Sequence, residues 1–270
     1  MIEHECHQGR DVDSCRMTFI IAGCARWSNE KVTQRNFMCR MIASVGCTSD
    51  EIQTLFQAFA TGSKCDPTLP DRIKSTGQTC HGQGWGYAMY DGNRLHHFRS
   101  SRPVWEESDS LPPVSGTKGR MILHSRLASN PALNLPTHSH PYMAATDKET
   151  LFLAHNGGVK EDAAKPNVVD SEWVLGEIAR RGLKDALPDL RRRTRDGSAL
   201  NLVILKIPRD NGQEPELLCL NSFKGEESYY GMFTAMLGAG RVFMSSTFAE
   251  MSLNGLSNLQ KAPRDELFGL

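Results

Sequence analysis

The sequence predicts an α+β fold in which a largely antiparallel sheet core is covered by a few outer helices. Three observations predict it. Short apolar or alternating runs of strand length recur between residues 41 and 245, an Asp-Gly pair separates two of them, and helical periodicity is clearest in only two segments. With 270 residues, 39% of them hydrophobic and 23% charged, the chain can close a sizeable core in one or two domains.

An irregular leader gives way to patterned sequence near Phe37. Met41 to Val45 has the length and apolarity of a strand. Thr48-Ser49-Asp50-Glu51 is a capping-box signature ahead of Ile52, Leu55, Phe56 and Phe59, which predicts a helix ending near Gly62. Pro67, Pro70 and Gly77 break up Cys65 to Thr79, which reads as a loop or pocket margin. Gly84 to Tyr90, the pair Asp91-Gly92, and Arg94 to Phe98 read as a hairpin. Arg120 to His124, Thr150 to His155, Ala199 to Ile207, Pro215 to Leu220 and Arg241 to Ser245 read as further strands. Ser171 to Arg181 is the second helix. Asp170 or Ser171 caps it, Trp173, Val174, Leu175 and Ile178 lie toward one side, and Gly182 stops it.

Composition excludes several functions. Lysine plus arginine and aspartate plus glutamate both number 31, so no net field draws the chain to nucleic acid or an anionic membrane. Phe19 to Ala25 is far shorter than the roughly 20 apolar residues of a spanning helix. Ile21-Ala22-Gly23-Cys24 resembles a lipoprotein cleavage box, but Glu3, Glu5, Asp11 and Asp13 precede it where a signal peptide wants a basic start. Eight scattered cysteines without a C-x-x-C string suit free thiols in the cytoplasm. His4, Cys6, His7, Cys15 and Cys24 match no zinc spacing, and neither does a metal-hydrolase reading of His138, His140 and His155, so no metal is expected.

Four strings carry chemistry, each beside a plainer reading. Cys39, in Met38-Cys39-Arg40-Met41, is a nucleophile or a small core residue. Arg126, in His124-Ser125-Arg126-Leu127-Ala128-Ser129, clamps a carboxylate or makes a surface ion pair. Asn156 and Gly157, in His155-Asn156-Gly157-Gly158, offer donors to an oxyanion or form a hairpin turn. Asp170, opening the second helix, holds an ammonium group or is simply part of an N-cap.

In that order along the chain, these strings resemble the class II glutamine amidotransferases, hydrolases with an N-terminal nucleophile. Gly84-Trp85-Gly86 and His140-Pro141 also have counterparts there. The resemblance spans about residues 38 to 250 and implies a four-layer αββα sandwich of two largely antiparallel sheets between helical layers. It also implies that Cys39 attacks the side-chain amide of glutamine or a γ-glutamyl compound to form a thioester, with Asn156 and Gly157 stabilising the oxyanion. Arg126 would hold the α-carboxylate, Asp170 the α-ammonium, and Ser129 would complete the cradle. Gln83, before Gly84, and Leu127 depart from the family's usual residues. The resemblance further implies that ammonia passes to a separate synthase subunit or that the protein simply hydrolyses a γ-glutamyl amide, and that no metal or organic cofactor is needed.

Residues 1–38 conflict with this chemistry, because an attached leader makes the Cys39 nitrogen an amide, which cannot act as a base. The expected division is a leader over 1–38, read first as a mis-assigned start and second as a propeptide, and an amidotransferase domain over 39–270. The alternative is a catalytically idle glutamine-sensing or partner-binding module that keeps its leader.

Overall fold

The computed structural model describes residues 38–75, 77, 79–111, 119–128, 134–160, 169–210, 212–251 and 253–270. The leader, with its lipoprotein-like box and its early histidines and cysteines, lies outside the described residues, and so does Ser129. The chain divides into Met1–Lys31 and Val32–Leu270, and every described residue belongs to the second unit.

That unit contains β1 (Arg40–Val45), α1 (Ser49–Lys64), α2 (Asp71–Lys74), β2 (Trp85–Tyr90), β3 (Leu95–Ser100), β4 (Arg120–Ser125), β5 (Tyr142–Ala145) and β6 (Glu149–Gly157). It continues with α3 (Asp170–Arg181), α4 (Leu183–Arg193), β7 (Leu200–Pro208), β8 (Glu216–Leu220), α5 (Glu227–Tyr230), β9 (Met232–Leu237), β10 (Gly240–Ser245), α6 (Ser246–Glu250), β11 (Leu256–Lys261) and β12 (Leu267–Gly269). The strands form a seven-stranded sheet, ordered β11-β9-β10-β1-β4-β2-β3, and a five-stranded sheet, ordered β12-β8-β7-β6-β5. Neighbouring strands pair antiparallel throughout.

Side-chain alternation stacks these sheets. On β1, Met41 and Ala43 join Phe152, Ala154, Val203 and Leu205 in one apolar core, while Ile42 turns the other way to meet Leu55, Phe56 and Phe59 of α1. Leu151, Leu153, Leu202 and Ile204 turn outward from the second sheet onto Val174, Leu175 and Ile178 of α3 and Leu190 of α4. The order is therefore helix, sheet, sheet, helix, and a period of two residues dictates it. These elements all begin at Arg40 or later, and of the described residues only Met38 and Cys39 precede them.

Most predicted elements form as read, and the exceptions have local causes. The Thr48 hydroxyl accepts from Glu51 N–H while the Glu51 carboxylate accepts from Thr48 N–H, so the capping box is complete. The helix runs on to Lys64, because Gly62 stays helical where it packs against Phe248. The expected loop from Cys65 contains α2, a single helical turn. Neither Asp170 nor Ser171 caps α3: Val169 stands at the cap, and both side chains are engaged elsewhere. The helix α4 escapes prediction because Pro188 interrupts it, yet Ala186, Leu187 and Leu190 still seat it on the core. Among the described residues no helix is long and apolar enough to cross a membrane.

Candidate active site

Strand parity and strand ends bring the four singled-out strings together. Cys39 precedes β1, whose start pairs with the end of β4 (Arg40 opposite Ser125), and Arg126 follows directly. Asn156 and Gly157 end β6 in the facing sheet, opposite Asn201 and Leu200. Cys39 continues the parity of Met41, and Asn156 that of Ala154, so both belong to the faces that oppose each other between the sheets.

Burial pushes the Cys39 thiol up to about 11, against the Leu127 backbone N–H and the positive Arg126, which pull it down; the negative Asp170 adds to the rise. One thiol thus feels a guanidinium and a carboxylate from different elements. Arg126 is 5% exposed, which rules out the surface-ion-pair reading. Its backbone N–H donates to Gly84 O at 2.8 Å, and its carbonyl accepts from Gln83 N–H at 3.1 Å. Gln83 Oε1 also accepts from Ala128 N–H at 2.5 Å, so Gln83 clamps the Arg126 segment through both backbone and side chain.

The hairpin-turn reading of Asn156-Gly157 fails, since both residues are paired strand. Gly157 has φ +140°, and a Cβ there would lie 1.7 Å from Ala199 O, so no side chain fits. Asn156 is fully buried. Its Nδ2 donates to Ser245 Oγ at 3.4 Å, and its Oδ1 has no partner among the described residues. Ser245 Oγ in turn accepts from Met41 N–H at 3.0 Å, two residues from the thiol. A half-turn of the amide would set Oδ1 against the Ser245 hydroxyl and free Nδ2 as a donor.

The Asp170 carboxylate accepts from Val159 N–H at 2.9 Å, which ties α3 to the segment after Gly157. Ser171 turns inward, 2.9 Å from His155 Nδ1. Gly86 explains the pairing of Gly84-Trp85-Gly86 with His140-Pro141: a Cβ on Gly86 would stand 2.4 Å from His140 O, so only a bare backbone lets that segment close over β2.

A network that sequence reading missed holds the residue after the thiol. Arg40 is fully buried, its Nε donates to Asp66 Oδ2 at 2.7 Å, and its guanidinium lies 4.4 Å from the Tyr229 ring centre. Asp66 also accepts from Thr247 Oγ1 at 2.6 Å, from Thr68 N–H and Oγ1, both at 2.9 Å, and sits 2.7 Å from His81 Nε2. Burial works against the Asp66 charge, but Arg40 and these bonds outweigh it and hold the carboxyl well below its usual range. No motif spacing joins residues 40, 66, 81 and 247.

His81, His124, His140 and His155 are all buried. The His124 and His140 rings lie 3.9 Å apart, and neither nitrogen of His140 has a hydrogen bond among the described residues. Burial, first of all, lowers all four, His124 to about 3. A histidine depressed in the fold stabilises it above the unfolded value near 6.5 and ceases to as pH falls toward the folded value. The urea midpoint is therefore expected to fall between pH 7 and 5, with His124 alone contributing a slope of about 1.4 kcal/mol per pH unit below 6.5. A flat midpoint over that range would refute a neutral buried cluster. Among the described residues no group of histidines, cysteines and carboxylates is arranged to hold a metal ion.

No protein-family model matches the chain, and no curated protein matches it. Among solved structures, it is similar to glutamine phosphoribosylpyrophosphate amidotransferase from B. subtilis, complexed with ADP and GMP, at 16% identity and a TM-score of 0.56. It is similar to a structure of the allosteric regulatory enzyme of purine biosynthesis at 18% identity and a TM-score of 0.57. Each match covers 85% of this chain and 46% of the other, so the chain spans about half the length of these two proteins. A predicted glutamine amidotransferase from Pseudomonas aeruginosa PA01 matches at 16% identity and a TM-score of 0.44, covering 87% of this chain and 93% of its own. The first two likenesses establish the fold: two antiparallel sheets between helical layers, shared with part of these two proteins.

Proposed function

We propose that the chain is an amidohydrolase of the glutamine amidotransferase type that cleaves the side-chain amide of glutamine or a γ-glutamyl compound at Cys39. The observation that carries this reading is the position of one thiol within electrostatic reach of a buried guanidinium and a helix-borne carboxylate, Arg126 and Asp170. That pair complements the carboxylate and ammonium of an α-amino acid head.

In this reading the Cys39 α-amine, free once the leader is absent, takes the thiol proton as sulfur bonds to the amide carbon. Asn156 Nδ2 and Gly157 N–H hold the oxyanion. The C–N bond then breaks, the α-ammonium returns its proton to the departing nitrogen, and water cleaves the γ-glutamyl thioester to release glutamate. Ser129 is proposed to complete the cradle, and a separate synthase to accept ammonia where the substrate is glutamine.

The test is a chain beginning at Cys39, assayed with glutamine and a panel of γ-glutamyl amides, and treated with a glutamine-analogue electrophile before peptide mapping. Turnover and labelling at Cys39 are expected. Asn156→Ala should lower kcat by ~100 to 1,000-fold while still binding substrate. Absence of turnover with every substrate, in a chain that is folded and unlabelled, would overturn the proposal.

Burial of Met38 favours a second reading, a glutamine-sensing module that keeps its leader and leaves Cys39 idle. It predicts glutamine binding by the full chain with no labelled thiol.

A further inference from the structure

Met38 is fully buried, and its side chain is part of an apolar cluster with Leu69, Ile73, Leu127, Phe223, Tyr229 and Tyr230. The cluster adjoins the nucleophile on two counts. Leu127 also supplies the backbone N–H that faces the Cys39 thiol, and Tyr229 Oη approaches the Met38 carbonyl oxygen at 3.5 Å. His81, already bonded to Asp66, faces the Met38 backbone from another side.

Resting on the proposed amidohydrolase reading, the chemistry gives this cluster a purpose. The α-amine that hands a proton to the departing nitrogen is the nitrogen to which Met38 is joined. A leaving group that receives that proton must face the same atom, so a substituent on it points where the Met38 side chain now lies. Ammonia leaving from glutamine needs no apolar wall. A longer amine would.

We infer that the pocket filled by the Met38 side chain receives the apolar amine substituent of a γ-glutamyl amide, making alkyl or arylalkyl amides better substrates than glutamine. The pocket presents aliphatic and aromatic carbon. The neighbouring Arg40 charge is already matched by Asp66, so a substituent bearing its own carboxylate gains no partner from it.

The experiment uses the chain beginning at Cys39, which retains all described sheets and helices. Glutamine is compared with γ-glutamyl methylamide, ethylamide, n-butylamide and γ-glutamylglycine. Each buried methylene is worth about fourfold, so kcat/KM should climb along the alkyl series and exceed that for glutamine by at least ~10-fold at n-butylamide. γ-Glutamylglycine should fall below the ethylamide. Ile73→Phe, which narrows the pocket, should lower kcat/KM for the butylamide more than for glutamine. Glutamine turnover equal to or faster than that of every alkyl amide overturns the pocket while leaving the amidohydrolase reading intact. No turnover of any γ-glutamyl compound and no labelling of Cys39 overturns both.

Discussion

On the proposed amidohydrolase reading, a chain beginning at Cys39 should turn over a γ-glutamyl substrate at least ~1,000-fold faster than the full chain, because removing the leader frees the base and vacates the space that Met38 fills. In the full chain burial pushes the thiol up to about 11, so at pH 7 about one thiol in ten thousand is ionised. Among the described residues, burial depresses His81, His124, His140 and His155, His124 to about 3, so none of these imidazoles is an ordinary neutral-pH base. A free α-amine, with an ordinary value of ~7.7 to 8.0, would fill that role from the same residue as the thiol, and a positioned general base is worth ~100 to 10,000-fold. Loss of Met38 also opens the pocket its side chain fills. Steady-state kinetics on both chains, with intact mass measured before and after, checks the prediction. Acetylating the α-amine of the short chain should return it to the full chain's rate. Equal activity from material that still carries Phe37 would sink the free-amine mechanism.

Asp66→Asn should cost about 3 to 5 kcal/mol of stability, the usual result of leaving a buried charge without its partner. Asp66 is the counter-ion of a fully buried Arg40 and the acceptor for Thr247, Thr68 and the buried His81, so the neutral amide cannot satisfy all of them. For a unit of this size the melting temperature should drop by ~10 °C, with the urea slope unchanged. The depressed Asp66 carboxyl stabilises the fold above its ordinary value near 4 and stops doing so as pH falls through its folded value. The difference between parent and variant should therefore be full at pH 7 and shrink in strong acid. Since Arg40 follows Cys39 and its Nη1 donates to Cys39 O at 3.3 Å, the variant should also lose kcat on the proposed amidohydrolase reading. A change below about 1 kcal/mol would mean that water reaches Arg40.

How much was legible in the sequence follows the range of each interaction. The capping box at Thr48 and Glu51 and the turn at Asp91 are short-range, and both formed as read, the latter with Asp91 N–H donating to Arg94 O at 3.1 Å. Strands β5, β9, β11 and β12 were missed: β5 and β12 are only four and three residues long, β9 has an irregular burial pattern, and most of β11 is exposed and it is held by pairing with β9. The strings at 39, 126, 156 and 170 stood out only as an ordered set. Asp66 and His81 gave no signal, since a lone carboxylate and a lone histidine in a proline-broken stretch are ordinary until Arg40 meets them.

By itself the sequence determined the alternation that divides each strand between an inner core and a helix-facing core, because side chains on a strand point to opposite faces every second residue whatever surrounds them. It also determined which residue types were on hand for chemistry. Only the tertiary structure decided that Cys39, Arg126 and Asp170 act on one another, that Asn156 is a buried strand residue and not a turn, and that Met38 lies in an apolar pocket beside the thiol. The physical reason is that burial and electrostatic reach depend on distance in space, and antiparallel pairing sets those distances between residues 75 to 85 apart in β1 and β4 and 43 to 59 apart in β6 and β7.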